Sequence, residues 1–392
     1  SQQWTIRNQL EFARGFSDGD HYINAYLGQE VSSTKGYGFS SMIPEWSDVY
    51  GVASYPDLTG MTIKSAFKSS LSSLGGHSES QDRSVSLFVT GSYSYKDRYV
   101  VQGSARLDGV DIIGTKNRFS PLWNVSGKWN LHNEPFMTRF GFISQLAIRA
   151  SYGLVGSDVA AGNRYLYEQV YKENGNYPFG DYPGDTPVIK EGDLGTPSVT
   201  WEKAKKLDIG LDMNLFNKVS FTLDYFLDKR YDQLVTRADV PLIIGIGYAP
   251  SNVARTTNQG FDGQIGYQDR FGEFDFNTSL VFSYAKNKVD FKAEAQQKYP
   301  WLAETGRPLN QPFGYKWIGY YTPEDIELIN AAKTDPTIKA PAVPYTDIPV
   351  QAGDLKYADL NGDGSIDDFD KGAIGKPNLP TTTLGWSIGG YW

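Results

Sequence analysis

The 392-residue chain has no cysteine, four methionines and three histidines. Without cysteine there is no disulfide framework, no thiolate nucleophile and no zinc ribbon. His21, His77 and His132 are too few and too scattered for a histidine-rich metal site. Basic residues are in deficit, 37 Lys+Arg against 45 Asp+Glu, for a formal charge of −8. That balance argues against a general nucleic-acid binder, which needs a Lys/Arg excess to neutralise phosphates. No apolar run reaches the roughly 18 residues of a membrane-spanning helix. The first residues, SQQWTIRNQL, lack the charged and then apolar regions of a signal peptide, so a processed protein or a fragment is expected.

Aromatic residues and glycine are plentiful: 26 Tyr, 21 Phe, 9 Trp and 41 Gly, which point to β structure. Period-2 patterns confirm that direction. In Ser84–Tyr95 the set Val85, Leu87, Val89, Gly91, Tyr93 and Tyr95 faces away from Ser84, Ser86, Phe88, Thr90, Ser92 and Ser94. One side is apolar and the other mostly hydroxyl, as in a strand with two different surroundings. Tyr99–Asp108 repeats the pattern across the tight turn Lys96–Arg98. Similar segments are Trp4–Ala13, His21–Glu30, Leu122–Leu131, Leu146–Leu154, Lys205–Leu215, Val219–Asp228, Phe261–Gln268, Phe274–Tyr284 and Thr383–Trp392, so eleven strands are expected.

The links between them alternate in length. Arg14–Asp20, Lys96–Arg98, His132–Gln145, Phe216–Lys218 and Asp269–Glu273 are the shorter ones. Val31–Arg83, Gly109–Pro121, Val155–Ala204, Lys229–Gly260 and Lys286–Thr382 are the longer ones. In an up-and-down meander every second link lies on the same side. One rim therefore carries tight turns and the other long loops, the asymmetry of outer-membrane barrels. The polar strand faces carry lumen-type residues, such as Arg106 with Gln102, Arg149 with Ser151 and Asn277 with Ser279. Aromatic residues collect near strand ends, where a membrane interface would hold them. No repeat of fixed period supports a propeller. Eleven strands are an odd number, and open strand edges in lipid would leave backbone groups unpaired, so the chain is expected to be part of a larger barrel.

The sharpest motif is Asp359-Leu-Asn361-Gly-Asp363-Gly364-Ser365-Ile-Asp367-Asp368-Phe-Asp370. Oxygen-bearing residues stand at loop positions one, three and five, with glycine at six. Ser365 offers its carbonyl, Asp367 a water-mediated oxygen, and Asp370 the closing carboxylate. The spacing suits Ca²⁺ as a structural clamp, although aspartate in place of glutamate at the twelfth position shortens the bidentate reach. The plainer alternative is an Asn/Gly-rich turn with solvated acids. Gly15-Phe-Ser17-Asp-Gly19 matches a nucleophile elbow, but a strand-like segment follows instead of a helix, so tight-turn chemistry accounts for it. The carboxylate pairs Asp108/Asp111 and Asp367/Asp368 say nothing about hydrolysis without a pocket. Trp301, Tyr315, Trp317, Tyr320 and Tyr321 form an aromatic loop stretch suited either to stacking on sugars or to packing the loop itself. Helices are expected around Met61–Leu71 and Pro323–Ala332.

Several of these segments resemble the SusC/RagA type of TonB-dependent outer-membrane transporter. Tyr99-Val-Val-Gln-Gly-Ser-Ala-Arg106-Leu-Asp108-Gly109 is similar to that family's R-x-D-G strand end. Arg118-Phe-Ser-Pro-Leu-Trp123, Asn133-Glu-Pro-Phe-Met137, Leu146-Ala-Ile-Arg149-Ala-Ser-Tyr152-Gly153, Trp201-Glu-Lys203, Ile209-Gly-Leu-Asp212 and Asn258-Gln-Gly260-Phe follow in the family's order. The Asp359–Asp370 loop and Gly375-Lys-Pro377 come last. Asp262 departs from the family's usual Glu, and Asp108-Gly-Val-Asp111 lacks its serine run, which blurs the subfamily.

The resemblance implies an all-β, transmembrane antiparallel up-and-down barrel, of which residues 1–392 are one portion. The plug domain, the N-terminal extension and the last strands would lie outside the chain, and residues 286–382 would form a long extracellular loop. It implies TonB-driven import of a large nutrient, an oligosaccharide or sometimes a peptide, across the outer membrane of a Bacteroidetes-like Gram-negative cell. The implied partners are a SusD-like surface lipoprotein, the TonB complex and outer-membrane lipid, with no nucleic acid, no organic cofactor and no covalent chemistry. Two rivals stay open on the residues: a soluble extracellular Ca²⁺-binding β protein that binds glycans, and a passive porin.

Overall fold

The computed structural model describes residues 1–40, 46–47, 52–53, 76–158, 164–176, 187–240, 243, 245–346 and 348–392. One antiparallel sheet of eleven strands dominates it, with every strand hydrogen-bonded to its sequence neighbours in the sheet. In chain order these are β1 (Gln2–Phe16), β2 (His21–Ser40), β3 (Gly76–Tyr95), β4 (Tyr99–Val110), β5 (Phe119–Asn130) and β6 (Ile143–Ser157). The remainder are β7 (Glu202–Leu215), β8 (Val219–Val235), β9 (Ser251–Phe271), β10 (Phe274–Phe291) and β11 (Thr382–Tyr391). All eleven expected strands are present, and the meander is uninterrupted.

Several strands run further than the alternation indicated. β2 continues to Ser40 and β3 begins at Gly76, both inside the expected link Val31–Arg83, and their ladder pairs Ser40 with Gly76. β8, β9 and β10 likewise extend into the other long links. The cause is physical. Alternation marks a strand clearly only where its two faces meet different media, and these extensions mix polar and apolar residues. The expected helix at Met61–Leu71 lies outside the described residues.

Most short links are tight; the exception joins β5 to β6 through two 3-10 turns, Leu131–Asn133 and Pro135–Arg139, and is longer than the link from Val110 to Phe119 on the opposite rim. Lys96 and Asp97 (φ 52° and 51°) and Phe216 and Asn217 (φ 56° each) occupy consecutive left-handed positions. Arg98 N–H donates to the Tyr95 carbonyl and Lys218 N–H to that of Leu215, both at 2.9 Å. Two adjacent left-handed residues closed by such a bond define the type I′ hairpin turn, whose twist matches that of the flanking strands.

Register places like with like. One row runs Tyr99, Trp129, Ile148, Leu211, Leu223, Gly263, Phe282 and Leu384 across eight neighbouring strands. The opposite face carries Lys128, Arg149, Gly210, Asp224, Asp262, Ser283 and Thr383 in one such row. The apolar face has no layer packed over it among the described residues: Val85, Leu87 and Val89 are 41%, 55% and 47% exposed. The buried apolar cluster lies elsewhere, at the long-link end, where Val110, Ile112, Ile113, Val199 and Trp201 meet.

Aromatic rings mark both ends of the apolar face. Near the short turns, His21 stacks on Phe16 (5.1 Å) and Tyr99 on Trp129 (6.2 Å), while Phe142 stacks on Phe216 (5.6 Å). Toward the long links, Trp123 meets Tyr152 (5.6 Å) and Tyr225 meets Phe261 (5.1 Å). Ten steps along β5 separate Phe119 from Trp129. At about 3.3 Å per residue and a tilt of about 40°, they span about 25 Å of height, the usual apolar band of a membrane barrel.

Leu211, mid-band on the apolar face, provides a direct check. Leu211→Arg in the full-length protein is expected to cost about 2–4 kcal/mol of stability in lipid vesicles, read by urea unfolding. Ser151→Arg, on the polar face, is expected to cost far less.

Candidate functional site

The polar face is the chemically distinctive surface. Its centre is Arg149 on β6. The Arg149 guanidinium donates to Asp224 Oδ2 (2.8 Å) and Asp212 Oδ2 (3.2 Å), and Asp208 Oδ1 lies 3.7 Å away. Register sets Asp262 directly beside Asp224. One cation thus gathers carboxylates from two adjacent strands, with Asp262 next in line on a third. Gly210 stands opposite both Arg149 and Asp224, and an added Cβ there would collide with their side chains. Further along the face, Arg106 donates to Asp108 (2.5 Å) and to Ser86 Oγ (2.7 Å), and Arg7 pairs with Glu30. Such a wall offers charged and hydrogen-bonding groups to a polar solute and nothing to hydrocarbon.

Four long links knit together above this wall. Trp201 Nε1 donates to the Arg118 carbonyl (3.0 Å). The Asn252 amide donates to the carbonyls of Thr200 (2.9 Å) and Asp232 (2.8 Å), while its oxygen accepts from Thr200 N–H (2.9 Å). Arg164 bridges Asp82 (2.6 Å) and Asp111 (3.1 Å). These bonds join segments far apart in sequence, so the rim is a built surface.

The longest link, 292–381, has its own order. Its helix α1 (Pro323–Thr334) covers the expected Pro323–Ala332 and begins with a capping box: Thr322 accepts from Asp325 N–H, and Asp325 accepts from Thr322 N–H. Lys356 Nζ donates to the Asp325 carboxylate at 2.8 Å and holds it below its ordinary range. Tyr321, buried beside the helix, donates its hydroxyl to the Ala342 carbonyl (2.6 Å). Trp301 stacks on Tyr299 (4.6 Å) and donates to the Phe369 carbonyl (2.7 Å), so these two members of the aromatic stretch pack the link itself. Trp317 and Tyr320 stay mostly exposed. Tyr315 lines a cleft of about 600 Å³ with Tyr345, Tyr357, Phe369, Asp367 and Asp368. A second hollow of about 540 Å³, lined by Arg230, Asn258, Lys286, Asn287 and Leu379 among others, lies where the link meets the sheet.

The residues Asp359, Asn361, Asp363, Ser365, Asp367 and Asp370 share one tight loop. Their oxygens are turned mainly to the backbone. Asp359 accepts from Gly362 (2.6 Å) and Gly364 (2.8 Å), Asp363 from Ser365 (2.9 Å), and Asp367 from Phe369 (2.8 Å). Asp370 is fully buried and accepts from Leu360 (2.7 Å) and Asp367 (3.0 Å). The first, third, fifth and ninth positions retain free lone pairs on exposed or half-buried residues, which fits a hard cation in part. The twelfth does not fit that role: Asp370 is an inner clasp of the loop. Among the described residues no group of three or more His, Cys, Asp or Glu side chains converges on one point.

The remaining candidates have structural settings. Ser17 and Asp18 lie in the reverse turn between β1 and β2, with no helix after them. Asp108 is paired with Arg106, Asp111 with Arg164, and Asp368 with Lys371 (2.7 Å). At the short-turn rim, Glu134 accepts from Tyr99 (2.5 Å) and Trp129 (3.0 Å), bonds that hold its carboxyl below the usual range. The gathering of Asp208, Asp212 and Asp224 at Arg149, with Asp262 beside Asp224, was not foreseen. Each stands on the polar side of its own strand, but only register brings them together.

All 392 residues match the family described as "TonB dependent receptor-like, beta-barrel". The chain belongs to that family. Curated relatives include TonB-dependent receptor P39 of Formosa agariphila, 25% identical over 86% of this chain and 34% of the relative. TonB-dependent receptor SusC of Bacteroides thetaiotaomicron is 23% identical over 75% of this chain and 28% of its own. The chain therefore spans about a third of the length of these relatives. Among solved structures, the RagAB peptide importer superposes over the whole chain and 39% of its own length in its open-open state, with a TM-score of 0.73 at 18% identity. The fold is thus a transmembrane β-barrel of the outer membrane of Bacteroidetes-type cells. In such a barrel the uncovered apolar face meets lipid and the polar face lines the lumen. The soluble β-protein alternative falls on the same observation, since its apolar faces would have to pack together.

Arg149→Met leaves Asp208, Asp212 and Asp224 without their cation. Its expected cost is about 2 kcal/mol in urea unfolding of the vesicle-inserted full-length protein, discounted for a water-filled lumen. Replacing Asp212 and Asp224 by Asn in the same background is expected to recover most of it.

Proposed function

We propose that this barrel segment belongs to a protein that imports a large polar nutrient, an oligosaccharide, across the outer membrane with energy from the TonB complex. The observation that carries this reading is the two-sidedness of the sheet: an apolar row outward, and inward a row of Arg149, Asp224 and Asp262 joined by Asp212. Carboxylates and guanidinium groups exchange hydrogen bonds readily with sugar hydroxyls, and the exposed rings of the long-link cleft suit stacking on sugar faces. The cargo passes from the long-link rim through the lumen. A SusD-like surface lipoprotein covers that rim, and coupling to the TonB complex runs through parts of the protein outside this chain. No bond of the cargo is made or broken.

The test is uptake in cells carrying the full-length gene. Deletion is expected to abolish growth on the cognate oligosaccharide, and a proton uncoupler is expected to stop uptake of the labelled sugar. Uptake unaffected by the uncoupler would favour a passive pore, and loss of peptide uptake alone would make the cargo a peptide. Recovery of the full-length protein in the soluble fraction without detergent would overturn the whole reading.

We also propose that the Asp359–Asp370 loop takes one Ca²⁺ through Asp359, Asn361, Asp363, Asp367 and the Ser365 carbonyl. Binding requires these oxygens to turn from backbone N–H groups toward one point, with Asp370 remaining the inner clasp. The melting temperature of the full-length protein is expected to rise on Ca²⁺ addition and not to respond in Asp363→Ala. No rise in the wild type, or an equal rise in the variant, rejects the site.

A further inference from the structure

The lipid-facing side of the sheet does not stay apolar to its upper end. Lys203 and Lys205 follow Leu207 on the same face of β7, and Lys229 follows Leu227 on β8. Lys286 and Lys288 follow Tyr284 on β10. Lys205 and Lys229 are directly opposite one another, and Lys229 continues through Thr257 to Lys288 in one cross-strand row.

Their height is set by counting from the short turns. Lys205 and Lys229 each stand ten positions along their strands, as do the outer ring residues Phe261 and Tyr284 on theirs. Lys203 and Lys286 stand twelve positions along, and Lys288, fourteen along, lies highest. Ten positions correspond to about 25 Å of height in a tilted barrel strand, the top of the apolar band. The lysines therefore emerge at the headgroup level of the outer leaflet, on the side that faces lipid.

Like charges placed directly opposite on neighbouring strands destabilise a sheet. Here no compensating acid is close. Among the described residues, Lys203, Lys205, Lys229 and Lys286 have no carboxylate within 4.0 Å, and only Lys288 has one, Asp290 at 3.9 Å. By contrast Lys206, on the lumen face of β7, has Asp228. Lys205 leans on the Tyr231 ring with its ammonium 5.7 Å from the centroid, which keeps the charge at the interface. Lys205, Lys229, Lys286 and Lys288 are exposed.

We propose that Lys203, Lys205, Lys229, Lys286 and Lys288 form a binding surface for the phosphate groups of an outer-leaflet glycolipid. The inference rests on the outer-membrane reading of the fold. It follows from three features together: continuity with the lipid-facing band, a level matching the headgroups, and a cluster of cations without protein counterions. Ammonium groups near a membrane surface gain about fivefold in binding per lysine from anionic lipid. The phosphates would relieve the Lys205–Lys229 repulsion and so tie the barrel wall to its own leaflet.

The test uses the full-length protein in phosphatidylcholine vesicles containing either a diphosphorylated lipid A or the same glycolipid stripped of phosphate. The wild type is expected to melt higher with the phosphorylated form and to retain it in native mass spectrometry. Lys205→Gln/Lys229→Gln is expected to bind it about 25-fold more weakly. Lys229→Glu is expected to raise stability in vesicles without the phosphorylated lipid, by pairing with Lys205, and to lose the lipid response. Equal responses of wild type and double variant overturn the proposal. So does an equal effect of inorganic phosphate alone, which would make the surface a small-anion site. Loss of a co-purifying acidic protein in the double variant, with the lipid response intact, would reassign the surface to that partner. Failure of the wild type to insert into either vesicle would instead strike the membrane reading itself.

Discussion

Hydrocarbon offers no partner to a backbone N–H or C=O, and this constraint organises everything else in the molecule. A strand can cross the bilayer only if both of its neighbours complete its ladder. The eleven-stranded meander meets that demand for its nine inner strands, with tight hairpins at most of the connections on one rim. Once the ladder is in place, side chains have only two directions to take. A slip of one residue would send Leu211 and Leu223 into the lumen and Asp212 and Asp224 into lipid. The type I′ turns at Lys96-Asp97 and Phe216-Asn217 guard against that slip, because each locks the register of its hairpin. The Arg149 cluster works to the same end, since its short bonds to Asp212 and Asp224 exist in one register only.

The two rims follow different physics. At the short-turn rim the chain has little freedom, and its rings serve mainly to seat the barrel at the interface. The long-link rim is free of hydrocarbon and of the two-face rule. There the sequence builds ordinary globular structure: a small apolar core around Ile113 and Trp201, a half-buried asparagine joining three segments, and a capped helix beside a buried tyrosine. On the proposed import role, cargo selection falls to this rim, where shape and chemistry vary independently of the membrane.

Between the rims lies a third zone, narrow and amphipathic. The exposed lysines above Tyr284 and Leu227 occupy it on the lipid side. A residue in this zone has an apolar stem available to the chain ends of the lipid and a charged tip available to headgroups. Lysine suits that division, whereas the same residue eight positions lower would be costly.

Strand identity and the sidedness of each strand were legible residue by residue, because membrane and lumen impose a period of two on every crossing segment. Lengths were not: beyond the apolar band β2 and β3 are rich in Ser, Gly and charged residues, and the brief Tyr37/Phe39 alternation is too short to mark a strand by itself. The Asp359–Asp370 loop was legible as a tight acidic loop, while the commitment of Asp370 to backbone donors inside it was not. Nor could a reading of single strands pair Arg149 with Asp212 and Asp224, or set Lys205 against Lys229. Facing is a local property, enforced on each residue by the medium it meets. Neighbourhood across strands is a relation between distant segments, and it comes into being only when hydrogen-bond register closes the sheet.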